Sequence, residues 1–251
     1  MAETKQFDVL IPFHEDVPLR RLIWNHNHFL WGDVPGAIIR VSDDPKRKEH
    51  GSFSPGRARN AAARKGSADW ILAYDSDELP PEPEVIDNAF YRARKTGWAG
   101  VFSGTRVVKP AGSEAFATGA HKDISTLRLS TRVPTATGLI LVRRELFNRA
   151  HGYDERFEGW GFEDTALRRV LSLLAGSPDP APSHTDCWSL SPYFLDLVAL
   201  YRASLPNREL YEKEYGHLLT AETLPDLFHS RGYNSAPGLT PTTEARDHQR
   251  A

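Results

Sequence analysis

The chain reads as an α/β protein, a sheet of largely parallel strands joined by crossover helices. Three observations lead there. Short apolar runs of strand length alternate with helical patterns through roughly the first hundred residues. The runs stop abruptly at prolines or acidic turns, as strands do at a sheet edge. The 251 residues are 40% hydrophobic and 25% charged, which suits a soluble globular chain of one large domain, or a domain with an appendage.

Phe7 to Pro12 predicts a buried first strand, closed by proline, with a turn at Phe13-His14-Glu15-Asp16. Pro18 suits the first turn of a helix whose apolar face would be Leu19, Leu22, Ile23 and Leu30. Ala37 to Val41 predicts a second strand ending at Ser42-Asp43-Asp44-Pro45, and Lys46 to Gly51 a charged loop. Ser54-Pro55 is a cap followed by proline, so a helix starts there and runs through the small residues around Arg57, Arg59 and Asn60. Trp70 to Tyr74 predicts the third strand, and Glu82 to Lys95 a helix closed by Gly97. Trp98 to Val108 reads as a strand with an irregular centre at Ser103-Gly104, and Lys109 to Lys122 as an aperiodic loop over the site. Thr135 to Phe147 reads as a strand running into a short helix, and Glu163 to Leu174 as a further helix. Ser191–Ala203, Asn207–Leu219 and Ala221–Ser230 predict three more helices, and 232–251 a polar tail.

The chemistry concentrates at two stretches. The third strand ends in Asp75-Ser76-Asp77-Glu78 and then Pro80-Pro81, which places Asp75 and Asp77 just past its carboxyl end. Ligands bind at that edge of open α/β sheets, and two carboxylates on a turn suit Mg²⁺ or Mn²⁺ carrying a phosphate-bearing ligand. Alone, the pair would equally be a solvated acidic turn. The second stretch is Phe157-Glu158-Gly159-Trp160-Gly161-Phe162-Glu163-Asp164, roughly eighty residues on. Arg57 and Arg59 near a helix start could meet a diphosphate, or simply solvate the helix. Trp160 between glycines could present its face to a sugar ring, or be a core tryptophan. Glu163 and Asp164 could be a plain pair of acids at a helix start.

Together, and in this order, the two stretches resemble the metal-dependent GT-A glycosyltransferases, in particular the catalytic domain of the β-1,4-galactosyltransferases and the inverting family 2 enzymes. The resemblance spans about residues 7 to 188 and implies a Rossmann-like mixed sheet flanked by helices. A helical extension over 189–231 and a tail over 232–251 would follow it. It implies an inverting enzyme that moves a sugar from a nucleotide-sugar donor, a UDP-sugar, to an acceptor hydroxyl. Asp164 would be the general base, Glu163 would bind an acceptor hydroxyl, and Trp160 would face the acceptor. The nucleotide side would comprise Pro12, His14, Asp43, Arg57, Arg59, Asn60, Asp75 and Gly138. The Ile11-Pro12-Phe13-His14 segment has His where the relatives have Arg. His14 is otherwise a surface turn histidine, and Asp43 otherwise a turn acid before proline. The divalent cation, Mn²⁺ or Mg²⁺, would sit on Asp77, with Asp75 beside it and His184 as a late ligand. The relatives' Met ligand has no counterpart, since Met1 is the one methionine.

Other classes stay open. A sugar nucleotidyltransferase would open with a Gly-rich basic loop after the first strand, and Phe13-His14-Glu15-Asp16 is not one. A non-catalytic nucleotide- or glycan-binding module of the same fold is the third reading. Net charge is −2, so no global field favours nucleic acid or an anionic membrane. Cys187 is the single cysteine, so no internal disulfide framework forms. With no signal sequence or membrane-length apolar run, a cytoplasmic location is expected. The acceptor is left as a glycan, a lipid-linked sugar, a small molecule, a protein or a modified nucleobase in DNA. The C-terminal helices could make a homodimer contact.

Overall fold

The computed structural model describes residues 6–96, 99–101, 105–133, 140–177, 187–191 and 197–233. Strand β1 (Phe7–Pro12) leads to α1 (Pro18–Trp31), β2 (Ala37–Ser42), the short α2 (Arg47–His50) and α3 (Pro55–Ala63). Then come β3 (Trp70–Ala73), α4 (Pro83–Thr96), β4 (Ala99–Val101), β5 (Thr105–Val108) and α5 (Pro110–Ala117). After β6 (Leu129–Val133), β7 (Ile140–Arg143) runs directly into α6 (Arg144–Arg149). The remainder is α7 (Glu163–Ala175), β8 (Cys187–Leu190), α8 (Leu197–Glu214) and α9 (Leu224–Ser230).

The main sheet has the order β2-β1-β3-β7-β4. β1 pairs in parallel with both β2 and β3, and β7 enters antiparallel between β3 and β4. The expected mixed α/β sheet flanked by helices is therefore present. A smaller sheet, β6-β5-β8, stands beside it, with β5 and β8 parallel.

Alternation along the strands divides the core into two layers. Leu10, Ile71, Ala73, Ile140 and Val142 face α3, α6, α7 and the C-terminal helices. Phe7, Val9, Ile11, Trp70, Leu72 and Leu141 face α1 and α4. Leu224, Leu227 and Phe228 of α9, with Tyr215 and Leu219 from the segment before it, belong to the first layer, so the C-terminal part packs into the same core as the main sheet.

Several sequence expectations are corrected here. The fully buried face of α1 is Ile23, Trp24, Asn27 and Trp31; of the expected leucines, Leu19 packs partly buried beside Ile23, while Leu22 and Leu30 are only half-buried. Residues 109–122 hold a helix, because Lys109-Pro110 supplies an extended residue and a proline at the first turn, and Phe116 then packs beside Ile23 and Val108. The strand expected over 98–108 is two strands in different sheets, and its irregular centre falls at 102–104, outside the described residues. Two of the three expected C-terminal helices are one, since α8 runs through Pro206. The loop at 46–51 contains α2, ended by Gly51 at φ 79°.

Candidate active site

β3 ends at Ala73, and the chain then turns through Asp75-Ser76-Asp77-Glu78. Two partners fix that turn. Asn27, fully buried on α1, donates from Nδ2 to the carbonyls of Ser76 (3.1 Å) and Glu78 (3.0 Å). β8 lies alongside the turn: the Leu190 amide donates to the Asp77 carbonyl (2.7 Å) and the Leu79 amide to the Trp188 carbonyl (2.8 Å). Two carboxylates are thus held on a backbone that cannot relax them apart. Burial and then the Asp75 charge push Asp77 up to about 6. Glu78, buried beside them and bonded to Thr105 Oγ1 (3.1 Å), is raised well above the usual carboxylate range by burial and by Asp75 and Asp77.

The second stretch is shaped by backbone conformations that few residues adopt. Gly159, Phe162 and Gly161 have φ of 70°, 72° and 95°. For Phe162, which caps α7 without a side-chain bond, the left-handed conformation costs on the order of 1 kcal/mol. The loop is held from two sides. Gly159 donates to the Phe53 carbonyl (2.9 Å), Ser54 Oγ to the Phe157 carbonyl (2.8 Å), and Ser52 Oγ to Glu158 (2.8 Å). From α8, the Asn207 amide bonds the loop backbone on the other side. Trp160 is left 54% exposed at the tip, which disposes of the core-tryptophan reading.

Arg59 joins the two stretches. It is 1% exposed, and its guanidinium lies over the Tyr153 ring. One nitrogen donates to Asp75, and the other to Asp164 (3.1 Å) with a weaker contact to Glu163 (3.5 Å). The small residues of α3 bring Arg59 close to the sheet, where its charge meets the site's own acids, Asp75, Asp164 and Glu163. The two acids at the start of α7 are both shifted upward. Burial and then the neighbouring Asp164 charge push Glu163 up to about 8, and burial raises Asp164 against the opposing pull of Arg59.

Arg57 and Asn60 are turned inward as well. Arg57 donates to Asp44 (2.9 Å), Glu158 (3.0 Å) and the carbonyls of Glu155 (3.1 Å) and Ser52 (3.2 Å), which commits its donors to bracing. Asn60 exchanges hydrogen bonds with the Tyr153 backbone (2.9 Å each) and also donates to Glu155 (3.1 Å). Gly152 is required beside it, at φ 64° with its would-be Cβ 2.4 Å from Asn60 Oδ1.

Pro12, His14 and Asp43 sit together at the carboxyl ends of β1 and β2. His14 and Asp43 line an open cavity of about 420 Å³ with Phe13, Arg21, Ser42 and Lys65. His14 stacks on Phe53, its Nε2 meets Arg47, and its Nδ1 lies 3.4 Å from Asp43. An arginine can only donate, so Nδ1 carries the proton that Asp43 receives. Gly138 and His184 lie outside the described residues.

Among the described residues no three His, Cys, Asp or Glu side chains converge on one metal-sized space. The chemistry of the pair Asp75 and Asp77 nevertheless fits a hard divalent cation: both are carboxylates, and their mutual repulsion is what such an ion would relieve. Sequence reasoning missed Asn27, Glu78 and Asn207. The signal for Asn27 was an amide among the apolar residues of a helix, since a buried amide must find partners.

The model of the "N-terminal domain of galactosyltransferase" matches residues 119–174, a minority of the chain that includes both acids of α7. No curated protein matches. The structure is similar to the catalytic domain of Drosophila β1,4-galactosyltransferase 7 in complex with xylobiose, at 17% identity over 87% of this chain and 83% of that one, TM-score 0.44. It is similar to mannosyltransferase PcManGT from Pyrobaculum calidifontis in complex with GDP-Man and Mn²⁺, at 15% identity over 91% and 76%, TM-score 0.49. TarS residues 1–349 of S. aureus is similar at 13% identity over 97% and 77%, TM-score 0.45. No helix among the described residues is long and apolar enough to cross a membrane. The chain thus carries, over residues 119–174, a segment that matches the galactosyltransferase model, set in a fold built on a mixed α/β sheet.

Proposed function

We propose that the chain is an inverting, metal-dependent transferase that takes a sugar from a UDP-sugar and places it on an acceptor hydroxyl. The observation that carries this is the Arg59 bridge. It holds Asp75, at the end of the donor-side strand, and Asp164, at the head of α7, on one guanidinium. A base and a leaving-group site must face each other across the transferred sugar, and this arrangement supports that placement.

The nucleotide would lie in the cavity at His14 and Asp43, with Pro12 at its floor and Gly138 under the donor sugar. Asp77, with Asp75 and His184, would hold the Mn²⁺ or Mg²⁺. When bound, the cation offsets charge developing on the departing diphosphate. Asp164 takes the proton of the acceptor hydroxyl as its oxygen bonds to the anomeric carbon, and the bond from that carbon to the diphosphate breaks on the opposite face. Glu163, held protonated at neutral pH, donates a hydrogen bond to the acceptor.

Two experiments follow from these roles. Asp77→Ala should abolish stimulation of turnover by Mn²⁺, and metal-stimulated turnover that survives the change would remove Asp77 as a ligand. Turnover should be bell-shaped in pH. It falls at low pH as Asp164 gains its proton, and falls again as Glu163 loses its own near pH 8. Glu163→Gln cannot titrate, so it should erase the upper limb of kcat against pH. An upper limb that persists in Glu163→Gln would exclude Glu163 as its source.

A further inference from the structure

We infer that Asn207, on α8, is a positioning residue for acceptor binding, an inference that rests on the transferase reading above. The side chain is 4% exposed. Its Nδ2 donates to the carbonyls of Glu158 (2.8 Å), Gly161 (3.0 Å) and Trp160 (3.3 Å), and its Oδ1 accepts from the Glu158 amide (3.2 Å). All four bonds land on the backbone of one short loop, from a residue more than forty positions away in sequence. The same face of α8 closes on the loop elsewhere. A methyl group at Gly161 would come 3.3 Å from the Ser204 side chain, and the Phe162 and Tyr211 rings lie 5.5 Å apart.

The loop needs this clamp because three of the four positions from Gly159 to Phe162 have left-handed φ, a conformation that must be held from outside. Trp160 stands exposed at its tip, and Glu163 and Asp164 begin α7 immediately after it. Fixing the carbonyls of residues 158, 160 and 161 therefore fixes where the indole stands relative to the two acids. That relation sets the acceptor site, and none of the four Asn207 bonds reaches a residue lining the cavity at β1 and β2. α8 also lies beyond the matched segment, so this chain uses its C-terminal helices to build the acceptor side.

The test compares the full chain with Asn207→Ala and Asn207→Asp, the latter keeping the shape and the acceptor oxygen while losing the N–H groups. Asn207→Ser, which retains one donor, serves if Asn207→Ala does not fold. Amide exchange is followed over residues 158–163. Transfer from UDP-glucose and UDP-galactose is followed with p-nitrophenyl glycosides of xylose, glucose, galactose and N-acetylglucosamine as acceptors. Exchange in the loop should rise roughly tenfold in both variants, and acceptor KM should rise about tenfold while kcat moves far less. Binding of UDP with Mn²⁺ should stay within about twofold of the parent, since Asn207 touches nothing on that side. Unchanged loop exchange would overturn the clamp. Faster exchange with an unchanged acceptor KM would overturn its role toward the acceptor. A parent chain that turns over neither donor, to transfer or to hydrolysis, would instead sink the transferase reading, and the exchange data would still decide the clamp.

Discussion

Asp164→Asn is expected to lower transfer roughly a thousandfold, the usual worth of a positioned general base, while leaving UDP binding in the presence of Mn²⁺ intact. The amide has nearly the shape of the carboxylate and can still meet Arg59 through its oxygen, so the loss isolates the proton acceptor from the packing around it. A steady-state assay beside a binding titration reads both halves. Transfer within about tenfold of the parent would assign the proton to another group.

Arg59→Leu is the largest structural prediction. The buried guanidinium is the cation beside Asp164, and removing it leaves that carboxylate in the interior without its counter-charge. Breaking a buried charge pair from one side costs about 3–5 kcal/mol. Asp75 is 41% exposed on its side chain, so water screens that contact and most of the loss belongs to the α7 side. Denaturant unfolding should show the loss in the midpoint with little change in slope. A change below about 1 kcal/mol would mean that the acids are protonated and the bridge is not charged.

The legible part of the fold was what local chemistry dictates. Ser54 followed by Pro55 could only start a helix, and Ser54 Oγ does accept from the Arg57 amide (3.2 Å). The prolines after Glu78 and the acids after Ala73 marked the end of β3, and the parallel pairing of β1 with β2 and β3 followed from the alternation of elements. Long-range commitments were not legible. Arg57 and Arg59 looked like anion ligands because they stand at a helix start. Nothing local says that Asp44, thirteen residues back, or Asp164, more than a hundred on, will claim them first. Pro206 read as a helix end because it removes a ladder bond. Tertiary contacts on both sides of it, from Ser204 against Gly161 and from Asn207 to the loop, keep α8 continuous instead.

The same asymmetry governs the site. The acid-bearing stretches were visible as motifs, but what makes them one site is a pair of asparagines and an arginine. Asn27 fixes the Asp75–Glu78 turn, Asn207 fixes the loop before Glu163, and Arg59 ties the two together. Each acts through bonds to groups far away in sequence, where residue type alone carries no instruction.

The central claim is that Asp75 and Asp77 make a metal-dependent nucleotide site facing Asp164. Calorimetric titration of the full chain with UDP and with GDP, each with and without Mn²⁺, tests it most directly. The account predicts that UDP binds with Mn²⁺ present and that binding falls away without the ion. Failure of both nucleotides to bind with Mn²⁺ present would contradict it, and the assignments of donor, metal and base would fall together.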